Sequence, residues 1–333
     1  MVNNTVIEIK NLSKTFVVKN KEAGLLGSFK AIFQSNYKKI KAVKEISFSI
    51  NAGEMIGFIG PNGAGKTTTL KMLSGILYPT SGEINVLGFK PNERKNEFLK
   101  KISLVMGQKN QLIWDLPAID TFNLNRETYE VPKKDFDKTL DELIDIFDIK
   151  DILNQQVRRL SLGQRMKCEI VASLLHNPKI LFLDEPTIGL DILIQKKLRH
   201  FIKEFNKRFG TTVILTSHYM DDVKEIANRI IIINKGSLVF DNSLKALSQK
   251  YANYKLLSLT LNNNAPKETL ANFEEVIKYE YPELIIKVKP EKIAEVTSMA
   301  LKELDVEDID ISEPELEDIV SKIFEKKEEK LNT

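Results

Sequence analysis

Nine consecutive residues, Gly60-Pro61-Asn62-Gly63-Ala64-Gly65-Lys66-Thr67-Thr68, have the types and spacing that hold a chain of phosphates. The apolar run Met55-Ile56-Gly57-Phe58-Ile59 precedes them, so the context is a buried strand, a glycine turn and a helix starting at Thr67. In such a turn successive backbone N–H groups form an anion cradle, and the positive end of the helix points into it. Lys66 would reach the β and γ phosphates, and Thr67 would offer its hydroxyl to Mg2+. Gly60 and Gly65 permit backbone angles and approaches that a side chain would obstruct. A P-loop implies a nucleotide without saying what the nucleotide is for.

Two carboxylates extend this set. Ile180-Leu181-Phe182-Leu183 reads as a buried strand that runs straight into Asp184-Glu185. Asp184 stands where a P-loop enzyme places its Mg2+-organising carboxylate, acting through water, and Glu185 could polarise a water for attack on the γ phosphate. By itself an Asp-Glu pair after a strand is a helix cap; the P-loop upstream favours chemistry. Gln108 and His218 each follow a predicted strand, Ile102 to Met106 and Thr211 to Thr216, at the sheet edge where α/β proteins bind ligands. His218 there reads as a γ-phosphate contact, with a structural hydrogen bond as the alternative.

The elements that must position these groups alternate along the chain. Val6 to Leu12 and Ala42 to Ile50 alternate as strands, and Glu83 to Leu87 follows the turn Tyr78-Pro79-Thr80-Ser81-Gly82. Asp120 to Leu160 carries helical periodicity, with Leu140, Leu143, Ile144 and Phe147 on one apolar face. Ser161 is a plausible N-cap for a helix that runs to His176-Asn177-Pro178. Another helix follows Asp191 and extends to Arg208, and Ile230 to Ile233 with Ser237 to Phe240 reads as a hairpin. This spacing predicts an α/β sandwich with a parallel core. Beyond Tyr251 short strands and two helices predict a small α+β domain.

One stretch stands apart. Leu25, Leu26, Phe29, Ile32, Phe33, Tyr37 and Ile40 recur at helical spacing, surrounded by Lys21, Lys30, Lys38, Lys39 and Lys41. A basic amphipathic helix lies on a membrane surface or grips a partner. The alternative is an insertion folded onto its own domain.

The composition excludes several classes. From Lys250 onward there are 12 lysines against 19 acidic residues, a net −7, which leaves +10 for the rest of the chain. A basic front and an acidic rear suit a domain change near residue 250, while the overall +3 does not argue for nucleic acid. The single cysteine, Cys168, excludes an intrachain disulfide and a cysteine-cluster metal site. No apolar segment follows a basic start, so no secretory signal is expected. Apolar runs such as Ile230 to Ile233 fall far short of the ~20 residues a membrane span needs.

Taken in order, Gly60 to Thr68, Gln108, Leu160 to Arg165, Leu181 to Pro186, Gly189-Leu190-Asp191 and His218 resemble the complete motif set of an ABC-transporter ATPase subunit. The resemblance covers about residues 5–245. It implies a P-loop ABC ATPase domain over 1–245, with antiparallel β and helical subdomains, the latter at about 110–175. The insertion then spans about 19–41, and a C-terminal α+β accessory domain spans 251–333. Phe16 falls where the family stacks an aromatic on adenine. The resemblance assigns Glu185, His218 and Gln108 to catalysis, and Thr67, Gln108 and Asp184 to Mg2+. It assigns Gly60, Pro61, Asn62, Gly63, Ala64, Gly65, Lys66, Thr67 and Thr68 to ATP, together with Ser161, Gly163, Gln164 and Asp191 from across a dimer interface. Two subunits, identical or siblings, would pair head to tail around two Mg-ATP and drive separate transmembrane permease subunits from the cytoplasmic face of the membrane. No nucleic acid partner is implied.

Gln108-Lys109-Asn110-Gln111-Leu112-Ile113-Trp114-Asp115-Leu116-Pro117 and Ile311 to Val320 look most like the NatA-like branch of sodium, drug and lipid exporters. Leu162 departs from the glycine usual at that position. Trp114 is either an exposed anchor for the membrane partner or a residue buried under the helical subdomain. A translation- or repair-type ATPase of the same superfamily would carry a second cassette, a coiled coil or zinc modules, and a P-loop kinase an acceptor site and a lid. The sequence carries one cassette, no heptad insertion and no cysteine cluster, and a signature helix where a kinase would need a lid.

Overall fold

The computed structural model describes residues 4–19, 37–107, 111–217 and 219–329. The chain divides into two compact units, Met1–Asn242 and Ser243–Thr333. In the first, strands β1 (Thr5–Lys19), β2 (Tyr37–Asn51) and β4 (Ser81–Val86) form an antiparallel sheet in the order β2-β1-β4. Strands β3 (Met55–Ile59), β5 (Ile102–Met106), β6 (Ile180–Asp184), β7 (Thr212–Thr216), β8 (Arg229–Asn234) and β9 (Ser237–Ser243) form a second sheet in the order β5-β6-β7-β3-β8-β9.

Every residue of β3, β6 and β7 is buried. That is why these strands read as unbroken apolar runs rather than alternating ones: a parallel strand packed on both faces has no solvent side. Helix α1 (Lys66–Leu73) packs with the antiparallel sheet on one side, around Phe58, Leu70, Phe98 and Phe182. The other side is filled from a helical layer, α2 (Ala118–Thr128), α3 (Lys133–Phe147), α4 (Leu162–Leu174) and α5 (Ile192–Phe209). Helix α3 buries Phe136, Leu140, Leu143 and Phe147, an i, i+4, i+7, i+11 stripe.

The register of the parallel sheet decides what meets at its carboxyl edge. Asp184 ends β6 level with Met106 of β5 and with Thr216 of β7. The P-loop leaves the end of β3, which is β7's other neighbour. The groups expected to do chemistry therefore leave adjacent strands at one edge.

One expectation needs correcting. Tyr37 and Ile40 belong to strand β2 and pair with Lys19 and Phe16 of β1, so they do not continue a helix from Leu25. Leu25 to Phe33 lie outside the described residues. Tyr37 and Ile40 are three residues apart, a helical spacing that puts them on opposite faces of a strand, and the cross-strand pairing decides.

In the second unit, β10 (Lys255–Leu261), β11 (Val276–Glu280), β12 (Glu283–Val288) and β13 (Val306–Ser312) form an antiparallel sheet in the order β11-β12-β10-β13. A helix, Ile293–Glu303, joins the core of Leu257, Leu259, Leu284 and Ile286 through Ala300, Met299 and Val296. The helices Leu244–Tyr251 and Leu316–Glu329 pack on each other.

The helical layer of the first unit is tied to the sheet by His176. Its ring stacks on Tyr129 with centroids 3.9 Å apart, and Nε2 lies 3.1 Å from the Ile102 carbonyl oxygen at the start of β5. A carbonyl only accepts, so Nε2 carries the proton and buried Nδ1 is bare, with no partner among the described residues. Burial lowers the His176 pKa to about 4, against the Ile102 hydrogen bond that favours the proton. The unfolded chain takes up this proton near pH 6.5, so stability is complete above that pH and falls as pH drops toward 4. Thermal unfolding at pH 7 and pH 5 should show a loss of up to about 2 kcal/mol that His176→Phe largely removes. An equal pH dependence in both proteins would show that His176 does not carry it.

Candidate functional site

The P-loop closes over its own lysine. Lys66 is buried, and its Nζ donates to the carbonyls of Gly60 at 2.6 Å and Pro61 at 3.3 Å. Burial holds its pKa below the usual lysine value, while Glu185 and Asp184 pull it back up. Gly65 caps α1 with φ 108° and provides no side-chain cap. A Cβ there would sit 2.6 Å from the Ala42 carbonyl oxygen, so only glycine fits. The first-turn N–H groups thus meet no side-chain oxygen at the cap, and a buried cation stands beside them. These residues fit a phosphate chain.

Asp184 and two threonines form the second part. The Thr67 hydroxyl lies 2.8 Å from Asp184 Oδ2 and 3.1 Å from Oδ1, and the Thr216 hydroxyl donates to Oδ1 at 2.7 Å. One carboxylate therefore joins α1, β6 and β7. Among the described residues no group of three or more His, Cys, Asp or Glu side chains could hold a metal ion. The Thr67 hydroxyl and the Asp184 carboxylate are hard oxygen donors and, with phosphate oxygens when a nucleotide is bound, would suit Mg2+ rather than a softer metal.

Glu185 follows in the left-handed backbone region, with φ 56°, unusual for a side chain of this size. Its N–H donates to the Thr216 carbonyl at 3.0 Å. The Gly107 N–H donates to the Asp184 carbonyl at 2.9 Å, and a Cβ on Gly107 would run into the Glu185 carbonyl oxygen. The strained turn is thus held from β7 on one side and from the end of β5 on the other. Gln108 and His218 lie outside the described residues.

Beneath these ends lies a buried ion pair that sequence reasoning missed. Arg199 of α5 donates to Asp222 Oδ1 at 2.8 Å, and both side chains are almost wholly buried. Oδ2 of Asp222 accepts the Thr187 hydroxyl at 2.6 Å and the Ser217 hydroxyl at 2.6 Å. Ser217 Oγ accepts the Tyr219 N–H at 2.9 Å. Asp222 thereby grips the segment two residues past Glu185 and the residue before His218. The available signal was Arg199 itself, standing with Leu198, Ile202 and Phe205 on the buried stripe of α5, where an arginine demands a carboxylate. Thr216 was missed because only the register sets it beside Asp184.

Ser161 caps α4: its hydroxyl oxygen accepts the Gln164 N–H at 3.2 Å, and the Gln164 side chain accepts the Ser161 N–H at 2.9 Å. Leu162 and Gly163 pack instead on the segment after Glu185. A Cβ on Gly189 would collide with the Leu162 side chain, and one on Gly163 would sit 3.4 Å from Ile194. Asp191 caps α5, accepting the Ile194 N–H at 3.0 Å. Among the described residues no hydrogen bond joins Ser161–Gln164 to the P-loop. Leu162, Ile192 and Leu193 are 42%, 69% and 72% exposed, a large-side-chain apolar patch around these two helix starts.

Two further groups bear on the site. Glu169 of α4 accepts the N–H groups of Gln111 at 2.8 Å and Leu112 at 3.2 Å, so the chain three residues past Gln108 is fastened to α4. Burial pushes the Glu169 carboxyl upward, and those two bonds oppose the shift. Trp114 is exposed beside exposed Ile113 and Leu116, with the Arg165 guanidinium 5.7 Å from its ring; it is not buried under the helical layer. Phe16 is half-buried on β1, paired with Ile40.

Removing Asp222 would leave the buried Arg199 with only the half-exposed Glu225, 3.0 Å from its Nε, and would take the acceptor from the Thr187 and Ser217 hydroxyls. Asp222→Ala should lower unfolding stability by about 3–5 kcal/mol, read from the denaturant midpoint at unchanged slope. A loss under about 1 kcal/mol would show that Arg199 finds solvent and that the pair does not hold the strand ends.

Comparison with known proteins agrees with this geometry. Residues 43–188 match the model of the ABC transporter family, and residues 253–312 match that of the EvrA-like ABC transporter C-terminal domain. The chain is 33% identical over 215 residues to the ABC transporter ATP-binding protein NatA of Bacillus subtilis, covering 65% of this chain and 87% of that one. It is 32% identical to the bacitracin transport ATP-binding protein BcrA of Bacillus licheniformis, over 66% of this chain and 72% of the relative. Among solved structures, a dimeric bacterial ABC transporter cassette superposes with a TM-score of 0.60 at 26% identity, covering 72% of this chain and 98% of that one. A dimeric cassette in a post-hydrolysis state with ADP and Pi gives 0.59 at 26% identity over the same shares. The fold, the P-loop and these relatives make the chain an ATP-binding and ATP-hydrolysing protein of the ABC transporter ATP-binding family.

Proposed function

We propose that this chain is the ATPase subunit of an exporter of the NatA-like branch, working as a head-to-tail pair around two Mg-ATP and driving a separate permease. The observation that carries the pairing is the apolar patch of Leu162, Ile192 and Leu193 around the capped starts of α4 and α5. Large apolar side chains grouped at two helix N-termini suit a surface that a second chain covers and that an anion joins. In this reading each nucleotide lies between the P-loop of one chain and Ser161, Gly163 and Gln164 of the other, with Asp191 beside that junction.

Within one chain the roles follow from the chemistry of each group. Lys66 and the α1 N–H groups bind the phosphates, and Phe16 stacks on adenine. Thr67 and Asp184, with Gln108, hold Mg2+, which when bound neutralises charge on the phosphate oxygens. Glu185 orients the attacking water and accepts its proton, and His218 contacts the γ phosphate. The exposed group Ile113, Trp114 and Leu116 is the contact to the permease, reached from Gln108 through the segment that Glu169 fastens to α4. Family resemblance and the names of the relatives, which include bacitracin transport and linearmycin resistance proteins, support export of a drug-like molecule.

Glu185→Gln should retain ATP binding, reduce turnover by about 10²–10⁴-fold, and yield a dimer on size exclusion only when ATP is present. Turnover within a few-fold of the unmodified chain would remove Glu185 from the base role. Lys66→Ala should weaken ATP binding by at least tenfold (about 1.4 kcal/mol) in calorimetry. Unchanged affinity would contradict the cradle.

A further inference from the structure

The strands β1 and β2 outrun the sheet they belong to. The described pairing of β1 with β4 ends at Ser13, whereas its pairing with β2 continues from Lys14 to Lys19. Beyond Thr15, whose N–H still donates to the Thr80 hydroxyl at 2.9 Å, the described residues form a two-stranded ribbon, a form marginally stable in water on its own. Val17, Val18, Tyr37 and Ile40 are all strongly exposed there, and Lys38, Lys39 and Lys41 are exposed among them. The register sorts these side chains. Phe16 opposes Ile40 and Val18 opposes Lys38 on one face, while Val17 opposes Lys39, Thr15 opposes Lys41, and Tyr37 stands on that second face.

The charge is as uneven as the hydrophobicity. Lys14 to Lys44 contains eight lysines, one acidic residue and no arginine. Lysines interleaved with aliphatic residues and a tyrosine suit the boundary between lipid headgroups and acyl chains, where the cation meets a diffuse negative surface and the apolar group enters beneath it. A nucleic acid would instead favour arginine for its bidentate phosphate contacts. Lysine on a strand edge also deters aggregation, but that role does not call for exposed Val17 and Tyr37 beside it.

We propose that the ribbon face carrying Val17, Tyr37, Lys39 and Lys41 docks on the surface of an anionic lipid bilayer. The face bearing Phe16 is left to the nucleotide, so lipid contact and ATP binding use opposite sides of one ribbon. Docking at this point would orient the chain on the membrane through contacts of its own. It is independent of the transport reading.

The test is co-sedimentation of the full chain with vesicles of phosphatidylcholine alone or mixed with phosphatidylglycerol. The chain should sediment with the anionic vesicles and not with the neutral ones, and release as salt rises to about 0.5 M. Lys39→Glu/Lys41→Glu, and separately Val17→Ser/Tyr37→Ser, should each weaken partition at least about tenfold. Lipid-free ATP hydrolysis should stay unchanged in both variants, which separates loss of docking from loss of the ATPase fold. Failure of the unmodified chain to bind anionic vesicles, equal binding to neutral ones, undiminished binding of either variant, or tighter retention by duplex DNA would overturn the proposal.

Discussion

A carboxylate at the end of a fully buried strand has to be satisfied by whatever stands next to it, and Asp184 has two threonine hydroxyls. Thr67 reaches it from the P-loop helix and Thr216 from the neighbouring strand. The loop, the helix and two strands are therefore fixed relative to one oxygen pair. Glu185 takes up its left-handed conformation at the next residue, braced by Thr216 and by the end of β5. A second buried carboxylate, Asp222, is held in the same way by Thr187, Ser217 and Arg199. The two anions set the spacing of the loops at the sheet edge, and each is satisfied by groups from different elements. Movement of any one of these loops takes a hydrogen-bond donor from a buried carboxylate, which couples the elements along that edge.

The P-loop and the Ser161 segment are satisfied by separate sets of partners. The P-loop presents N–H groups and a buried lysine, and its hydrogen bonds run to β6, to β8–β9 and within itself. The Ser161 segment is capped by its own residues and packs on Gly189 and Ile194, next to the exposed Leu162, Ile192 and Leu193. The Leu162 side chain lies over Gly189, where an added Cβ would collide with it. Glu169, farther along α4, ties the same helix to the chain beyond Gln108. These two bonds join α4 to the segment that leads to Trp114.

The legible part of this molecule was what local chemistry dictates. Gly60 to Thr68 and the strands ending at Met106, Asp184 and Thr216 follow from short-range pattern, because a glycine turn and an unbroken apolar run each permit few structures. What escaped is non-local. Arg199 and Asp222 are 23 residues apart and meet only after α5 and the helix Met220–Ile226 pack. Thr216 gains its meaning from register, and Tyr37 and Ile40 were drawn into a helical count that pairing with β1 overrules. Trp114 could have faced either way on sequence alone, since an aromatic suits a core as well as an interface.

The central claim is that each P-loop is completed by the Ser161 segment of another chain. Disulfide trapping measures this directly, with one copy bearing Asn62→Cys and the other Ser161→Cys, both in the Glu185→Gln background. The native Cys168 does not interfere, because it is buried and its pKa is pushed up to about 12. A covalent dimer that forms with ATP and not without it is the predicted result. Absence of the cross-link with ATP bound, or its formation to the same extent without ATP, would contradict the two-chain site.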